Sequence, residues 1–192
     1  QTVSITVTDD VGETDTETFD VTVNNVSPVS SISGPVEVNE GSEATYTFSD
    51  ILDPGNDTVT NAVIEWGDGT TTVYTGAGDY SHTFADGDSA PVISLIVTDE
   101  DGTYTAATLG VAVNDVAPSI TVSGASETDE GSVYTLTLAD LVEPGDDPVS
   151  EYLIDWGDGS LVQSVTELGD VTHTFADGNS SATISVQIVN DE

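Results

Sequence analysis

Hydrophobic and polar residues alternate with a period of two along most of the chain. Val3/Ile5/Val7, Phe19/Val21/Val23, Tyr46/Phe48, Ile93/Leu95/Val97 and Leu109/Val111/Val113 fall on one parity, with Thr, Ser, Asn and Asp between them. Successive side chains of a strand point to opposite faces, so this is the pattern of half-buried β-strands. Clusters of Gly, Pro, Asn and Asp separate the runs, and no stretch of useful length shows a 3.6-residue apolar period. An all-β fold is expected, with about seven strands in each unit of about 90 residues packed as a β-sandwich.

The unit length comes from an internal repeat. Val23-Asn24-Asn25-Val26-Ser27-Pro28 returns as Val113-Asn114-Asp115-Val116-Ala117-Pro118, an offset of 90 residues. Glu40-Gly41-Ser42 returns as Glu130-Gly131-Ser132, Asp53-Pro54-Gly55 as Glu143-Pro144-Gly145, and Trp66-Gly67-Asp68-Gly69 as Trp156-Gly157-Asp158-Gly159, all at the same offset. His82-Thr83-Phe84 returns as His173-Thr174-Phe175, one residue later than that offset predicts. Three pieces follow: 1–26 is the tail of one repeat, 27–116 is a whole repeat, and 117–192 is a repeat that stops before its last strand. The alternation Ile184, Val186, Ile188 sets the register of that final stretch and places Asn190 and Asp191 opposite Asp99 and Glu100.

The ordered motifs, closed by Val-Thr-Asp-Glu-Asp-Gly at 97–102, resemble the polycystic-kidney-disease (PKD) domain of bacterial and archaeal surface and secreted proteins. The resemblance covers the whole chain. It departs at Ile64-Glu65-Trp66 and Ile154-Asp155-Trp156, where the family usually has Trp-Asp-Phe. It implies tandem immunoglobulin-like (PKD-type) β-sandwiches that serve as non-catalytic spacer or interaction modules outside the cell or on its surface, sometimes binding calcium.

Composition narrows the chemistry. The 192 residues include 36 Asp and Glu but no Lys or Arg, a formal net charge of −36 at pH 7. Nucleic-acid binding and attraction to anionic lipid both need cationic side chains, and Lys-based catalysis or phosphate binding is excluded outright. With 36% hydrophobic and only 19% charged residues the chain still has material for a core. There is no cysteine, so disulfides contribute nothing, and no run reaches the roughly 20 apolar residues of a membrane-spanning helix.

Among single residues, the resemblance implies that the His-Thr-Phe strand lies beside the Gly-Asp-Gly turn, so His82 and His173 are expected to be structural and bonded to that turn rather than acting in acid–base catalysis. Asp68-Gly69 and Asp158-Gly159 read as tight turns, and Trp66 and Trp156 as core aromatics. The acidic loops are a different matter. In an immunoglobulin-type sandwich the loop between the second and third strands, the loop between the last two strands and the incoming linker share one end. Calcium takes six to eight oxygen ligands from such loops. For the first junction the candidate ligands are Asn25, Asp50, Asp53, Asp99 and Glu100, in loops that also hold Asp57 and Asp101. For the second they are Asn114, Asp115, Asp140, Glu143, Asn190 and Asp191, with Asp146 and Asp147 in the same loop. Glu40, with Asp86 and Asp88, would reach the second junction from the preceding repeat. This resembles the cadherin arrangement, and no continuous EF-hand loop is present.

The expected role is mechanical: neighbouring repeats, stiffened by Ca²⁺ at their junctions, hold a binding element away from the cell. The expected partners are neighbouring repeats, or identical subunits joined head to tail by strand addition into a filament. Substrate-binding accessory domains of a secreted hydrolase are the alternative, which an exposed row of aromatic residues would favour; only 6% of residues are aromatic.

Overall fold

A computed structural model describes residues 1–55 and 57–190. The chain is all-β, with no helix among the described residues. It opens with an antiparallel hairpin of β1 (Thr2–Thr8) and β2 (Thr14–Asp20). Every residue of both strands is exposed. The half-buried reading of Val3, Ile5, Val7 and Phe19 is not met among the described residues, none of which forms a second sheet over their apolar side.

The first sandwich starts with β3 (Ile32–Ser33), β4 (Glu37–Asn39) and β5 (Glu43–Phe48). It continues with β6 (Asn61–Glu65), β7 (Thr71–Val73), β8 (Gly78–Thr83), β9 (Val92–Thr98), β10 (Thr103–Gly110) and β11 (Ala112–Asn114). One sheet has the order β10-β9-β6-β7 and the other β3-β5-β8, each antiparallel. The period-two pattern sends Tyr46 and Phe48 of β5 inward against Ile64 of β6 and Leu95 of β9, all at most 1% exposed. Burying each such side chain stabilises the fold by roughly 1.5–3 kcal/mol.

One crossing seals this core. After Gly110 the chain leaves β9 and passes to β4, with which β11 forms a separate two-stranded parallel sheet. Val111 and Val113 become 3% and 2% exposed as they cover the cluster. Backbone bonds from Val111 to Pro91 and from Ala112 to Val36 hold the crossing in place.

The second sandwich repeats the scheme with β12 (Ser119–Gly124), β13 (Val133–Val142), β14 (Glu151–Asp155), β15 (Gln163–Val165), β16 (Gly169–Thr174) and β17 (Ser185–Val189). Its sheets have the orders β12-β13-β16 and β15-β14-β17. Among the described residues nothing pairs with the outer edge of β17 or with residues 127–129, the counterparts of β4. A groove of about 560 Å³ lies there, lined by Glu127, Asp129, Tyr134, Phe175, Ala182 and Ile184 among others.

Candidate metal site between the two sandwiches

The repeated aromatic and histidine motif builds the interior. Trp66 follows β6 and is 1% exposed, with its indole Nε1–H donating to Thr72 Oγ1 at 2.9 Å. The His82 ring stacks on the indole at 4.4 Å, with Phe84 edge-on to the histidine. Its Nε2 lies 2.6 Å from Asp68 Oδ2, so the ring ties β8 to the turn after β6. The second sandwich repeats this with Trp156, His173 and Asp158, where the Nε2 to Oδ2 distance is 2.7 Å. Burial works against a charged Asp68, but hydrogen bonds from the Thr70 hydroxyl and amide and from His82 outweigh it and hold the carboxyl below its usual range. Bonds from the Ser160 hydroxyl, His173 and the Ser160 amide hold Asp158 still further down. Both histidines are bonded to the Gly-Asp-Gly turn, as expected.

The acidic ends behave differently. The turn after β4 carries Glu40 and Gly41, and Gly41 has φ +64°, a conformation that favours glycine. Its N–H donates to Phe84 O at 2.8 Å, and the N–H of Glu40 donates to Asn114 O at 3.1 Å. The second sandwich meets this turn with Glu143-Pro144-Gly145: Asp146 N–H donates to Ala85 O at 2.8 Å, directly across the joint. The approach is close enough to need glycine on both sides. A Cβ on Gly41 would strike the Pro144 carbonyl, one on Gly145 would sit 2.7 Å from Glu40 Oε2, and one on Gly87 would sit 2.5 Å from Asp115 Cα. Two motifs that recur separately in the sequence, Glu-Gly-Ser and Glu/Asp-Pro-Gly, are thus the two halves of one contact.

Three carboxylates converge there. Glu40, Asp115 and Asp147 each place an oxygen within 4.8 Å of the other two. Glu40 is fully buried and Asp147 is 6% exposed, whereas Asp115 lies at the surface. Glu40 Oε1 accepts the Val116 N–H at 2.8 Å, while Oε2 is buried without a hydrogen-bond partner. Two like charges at such a distance repel by about 3 kcal/mol at an effective dielectric near 20, and no Lys or Arg exists to offset it. Three hard oxygens from three segments, open to solvent on the Asp115 side, are a donor set that could hold a metal ion.

The expected second-junction ligands divide. Glu40 and Asp115 meet in the cluster. Glu143 adjoins it in the same turn, with both carboxylate oxygens buried and without hydrogen-bond partners. Asn114 turns away, its amide donating to Glu37 Oε1 at 3.1 Å. Asp140 is exposed, with φ +53° at an irregularity in the β12–β13 pairing. Asn190 is half-buried past the end of β17, and Asp191 lies outside the described residues. The sequence reading sets Asp147 in the same loop as Glu143 but does not name it among the ligands. Its position two residues after the Pro-Gly turn, matching Asp57 one repeat earlier, was the available signal.

At the upper end of the first sandwich, Asp53, Asp57, Asp99, Glu100 and Asp101 lie near one another. Asn25 donates instead to Tyr104 Oη at 2.8 Å, and Asp50 lies by Tyr74, whose hydroxyl burial and the Asp50 charge push up. No protein-family model matches the chain, and no curated protein matches it.

Proposed function

We propose that the chain is a run of tandem PKD-like sandwiches with a structural, non-catalytic role outside the cell, in which Ca²⁺ bound by Glu40, Asp115 and Asp147 stiffens the joint around residues 114–118. The observation that carries this reading is Glu40, a fully buried carboxylate whose free oxygen meets acidic groups from the linker and the next sandwich. A carboxylate is costly to bury uncompensated, and in a chain without Lys or Arg the compensating charge comes from solution. Calcium suits the donor set because it accepts carboxylates from flexible loops with loose angular demands. Because the ligands belong to both sides of the joint, the ion favours the stacked arrangement over a bent one and stabilises it by mass action.

The test is small-angle scattering with calcium and with EDTA. Calcium should make the particle longer and less variable and raise the melting temperature, and Glu40→Gln should abolish both responses. Identical scattering and melting curves in calcium and EDTA would refute the reading.

A second reading is favoured by the groove of the second sandwich. In the first sandwich the equivalent space is filled by β11, and Val21-Thr22-Val23-Asn24 repeats the Val111-Ala112-Val113-Asn114 pattern of that crossing on an exposed segment. Strand addition between copies would place the one in the other and propagate head to tail.

A further inference from the structure

Three asparagines are followed two residues later by Ser or Thr with no proline between: Asn25-Val26-Ser27, Asn56-Asp57-Thr58 and Asn179-Ser180-Ser181. Asn-x-Ser/Thr is the pattern in which an asparagine amide accepts an N-linked sugar, and the surroundings decide whether it does. Here the surroundings separate the three. Asn25 Nδ2 already donates to Tyr104 Oη at 2.8 Å, and Pro28 stiffens the chain directly after Ser27. Asn56 lies outside the described residues.

Asn179 stands in a turn between β16 and β17 with φ +49°, a left-handed conformation that asparagine adopts more readily than most residues. The turn is held on both sides of it: Gly178 N–H donates to Glu130 Oε2 at 2.7 Å, and the Ser180 hydroxyl donates to Asp177 O at 3.3 Å. Asn179 and Ser181 are exposed, and their side chains make no hydrogen bond among the described residues. Residues 180–184 belong to no strand, whereas in the first sandwich Ser89, the counterpart of Ser180, pairs with Val113. The stretch can therefore be drawn into an enzyme's active site without breaking a ladder. Asp88, the counterpart of Asn179, is exposed at φ +44° with β11 in place, so position 179 keeps its access to solvent with or without a strand in the groove. Asp177 adds an exposed carboxylate two residues ahead, which a cationic side chain of an enzyme can read; Asn25 and Asn56 have Val23 and Pro54 there.

We infer that Asn179 is an acceptor for an N-linked oligosaccharide, delivered from a polyprenyl pyrophosphate carrier by an oligosaccharyltransferase that recognises Asp177 and Ser181. Asn179 Nδ2 forms the bond to the anomeric carbon of the sugar, the carbon–oxygen bond to pyrophosphate breaks, and polyprenyl pyrophosphate leaves as the amide gives up one proton. The encounter rests on the extracellular reading given above, because transferases of this class meet chains that have left the cytoplasm. The sugar sets a hydrophilic, uncharged cover at the rim of the groove, which Asn179 helps to line.

The test is transfer to the folded 192-residue chain by a purified single-subunit oligosaccharyltransferase supplied with an oligosaccharide on polyprenyl pyrophosphate, read by intact mass and peptide mapping. One oligosaccharide per chain should appear, on the peptide that holds Asn179. Asn179→Gln and Ser181→Ala should each lose it, Ser181→Thr should keep it and Asp177→Asn should slow it. At these exposed positions the melting curve should stay that of the unaltered chain. Sugar on Asn25 or Asn56 in place of Asn179, or a bare chain where a control acceptor peptide is modified, overturns the assignment. A bare chain that still stiffens with calcium leaves the joint standing, and sugar on Asn179 of a chain indifferent to calcium upholds the acceptor and overturns the joint.

Discussion

The two sandwiches carry the same motifs in the same order, yet among the described residues a last strand covers one core and not the other. Phe84 is 1% exposed and Ile93 and Leu95 are 0% exposed, whereas their counterparts Phe175, Ile184 and Val186 are only half-buried. The residues themselves are near-equivalent. What differs is the crossing through Gly110: β10 caps β9, and β11 drops Val111 and Val113 over the open end of the core. Strand alternation thus supplies an apolar face, but the last strand of the unit decides whether that face is dry. The lower turns differ in a parallel way. Glu40 is fully buried beneath the next sandwich, while Glu130, in the same Glu-Gly-Ser turn, is exposed and accepts the Gly178 N–H at 2.7 Å.

The largest expected effect comes from the shared tryptophan. Trp66→Ala should destabilise the first sandwich by about 3–5 kcal/mol, as for other large-to-small changes at fully buried aromatic sites. Trp156→Ala should cost measurably less, because the half-buried residues around it can close into the space. Urea unfolding of the two variants checks the order, and equal losses would mean that the half-buried packing around Trp156 does not weaken the second core.

Next in size is the effect of a strand laid along β17. A synthetic peptide of residues 11–26, added in trans, should raise the melting temperature of the second sandwich and leave the first unchanged. At a hundredfold excess over its Kd the stabilisation would be about 2.7 kcal/mol. Failure at every soluble concentration would argue against strand addition in this groove.

A glycine pair isolates the joint. Gly41 and Gly131 both have positive φ, at +64° and +73°, but a Cβ on Gly131 meets nothing within 4 Å whereas one on Gly41 strikes Pro144. Gly131→Ala should therefore cost only the conformational term, about 1–2 kcal/mol. Gly41→Ala should add to this the loss of calcium-dependent stiffening in scattering. Matching behaviour of the two variants would show that the close contact is not needed for the joint.

The smallest effect concerns acid. Asp68 and Asp158 have carboxyls held below the ordinary range, so their bonded, charged state contributes stability that is complete above the unfolded-state value near 3.9. That contribution is lost as the pH falls through the depressed folded values. Melting curves between about pH 5 and pH 2 should steepen below pH 4, and Asp68→Asn with Asp158→Asn should flatten that limb. An acid limb unchanged by both substitutions would place the sensitivity elsewhere.

Much of the fold was legible in the chain. Period-two alternation placed Tyr46, Phe48, Leu95 and Val97 inside correctly, and the repeat aligned the two tryptophans and the two histidine–aspartate bonds. These are local or pairwise consequences of side-chain direction and turn chemistry. The same alternation misjudged the first hairpin, because a strand pattern gives the apolar side and not the sheet that covers it. In the candidate site, Glu40 and Asp115 were identified by charge and position. Asn114 and Asp140 lie apart from the three-carboxylate cluster that includes Asp147, since spacing along the chain does not say which loop residues point across a joint.

The sequence by itself determined the all-β class, the 90-residue unit, the turns that need glycine and the absence of any Lys or Arg. Only the tertiary structure decided that Glu40 is buried where Glu130 is exposed, although both stand in identical Glu-Gly-Ser turns. The physical reason is desolvation: a carboxylate's environment depends on what is stacked against it, and stacking joins segments about a hundred residues apart, here Gly41 and Pro144.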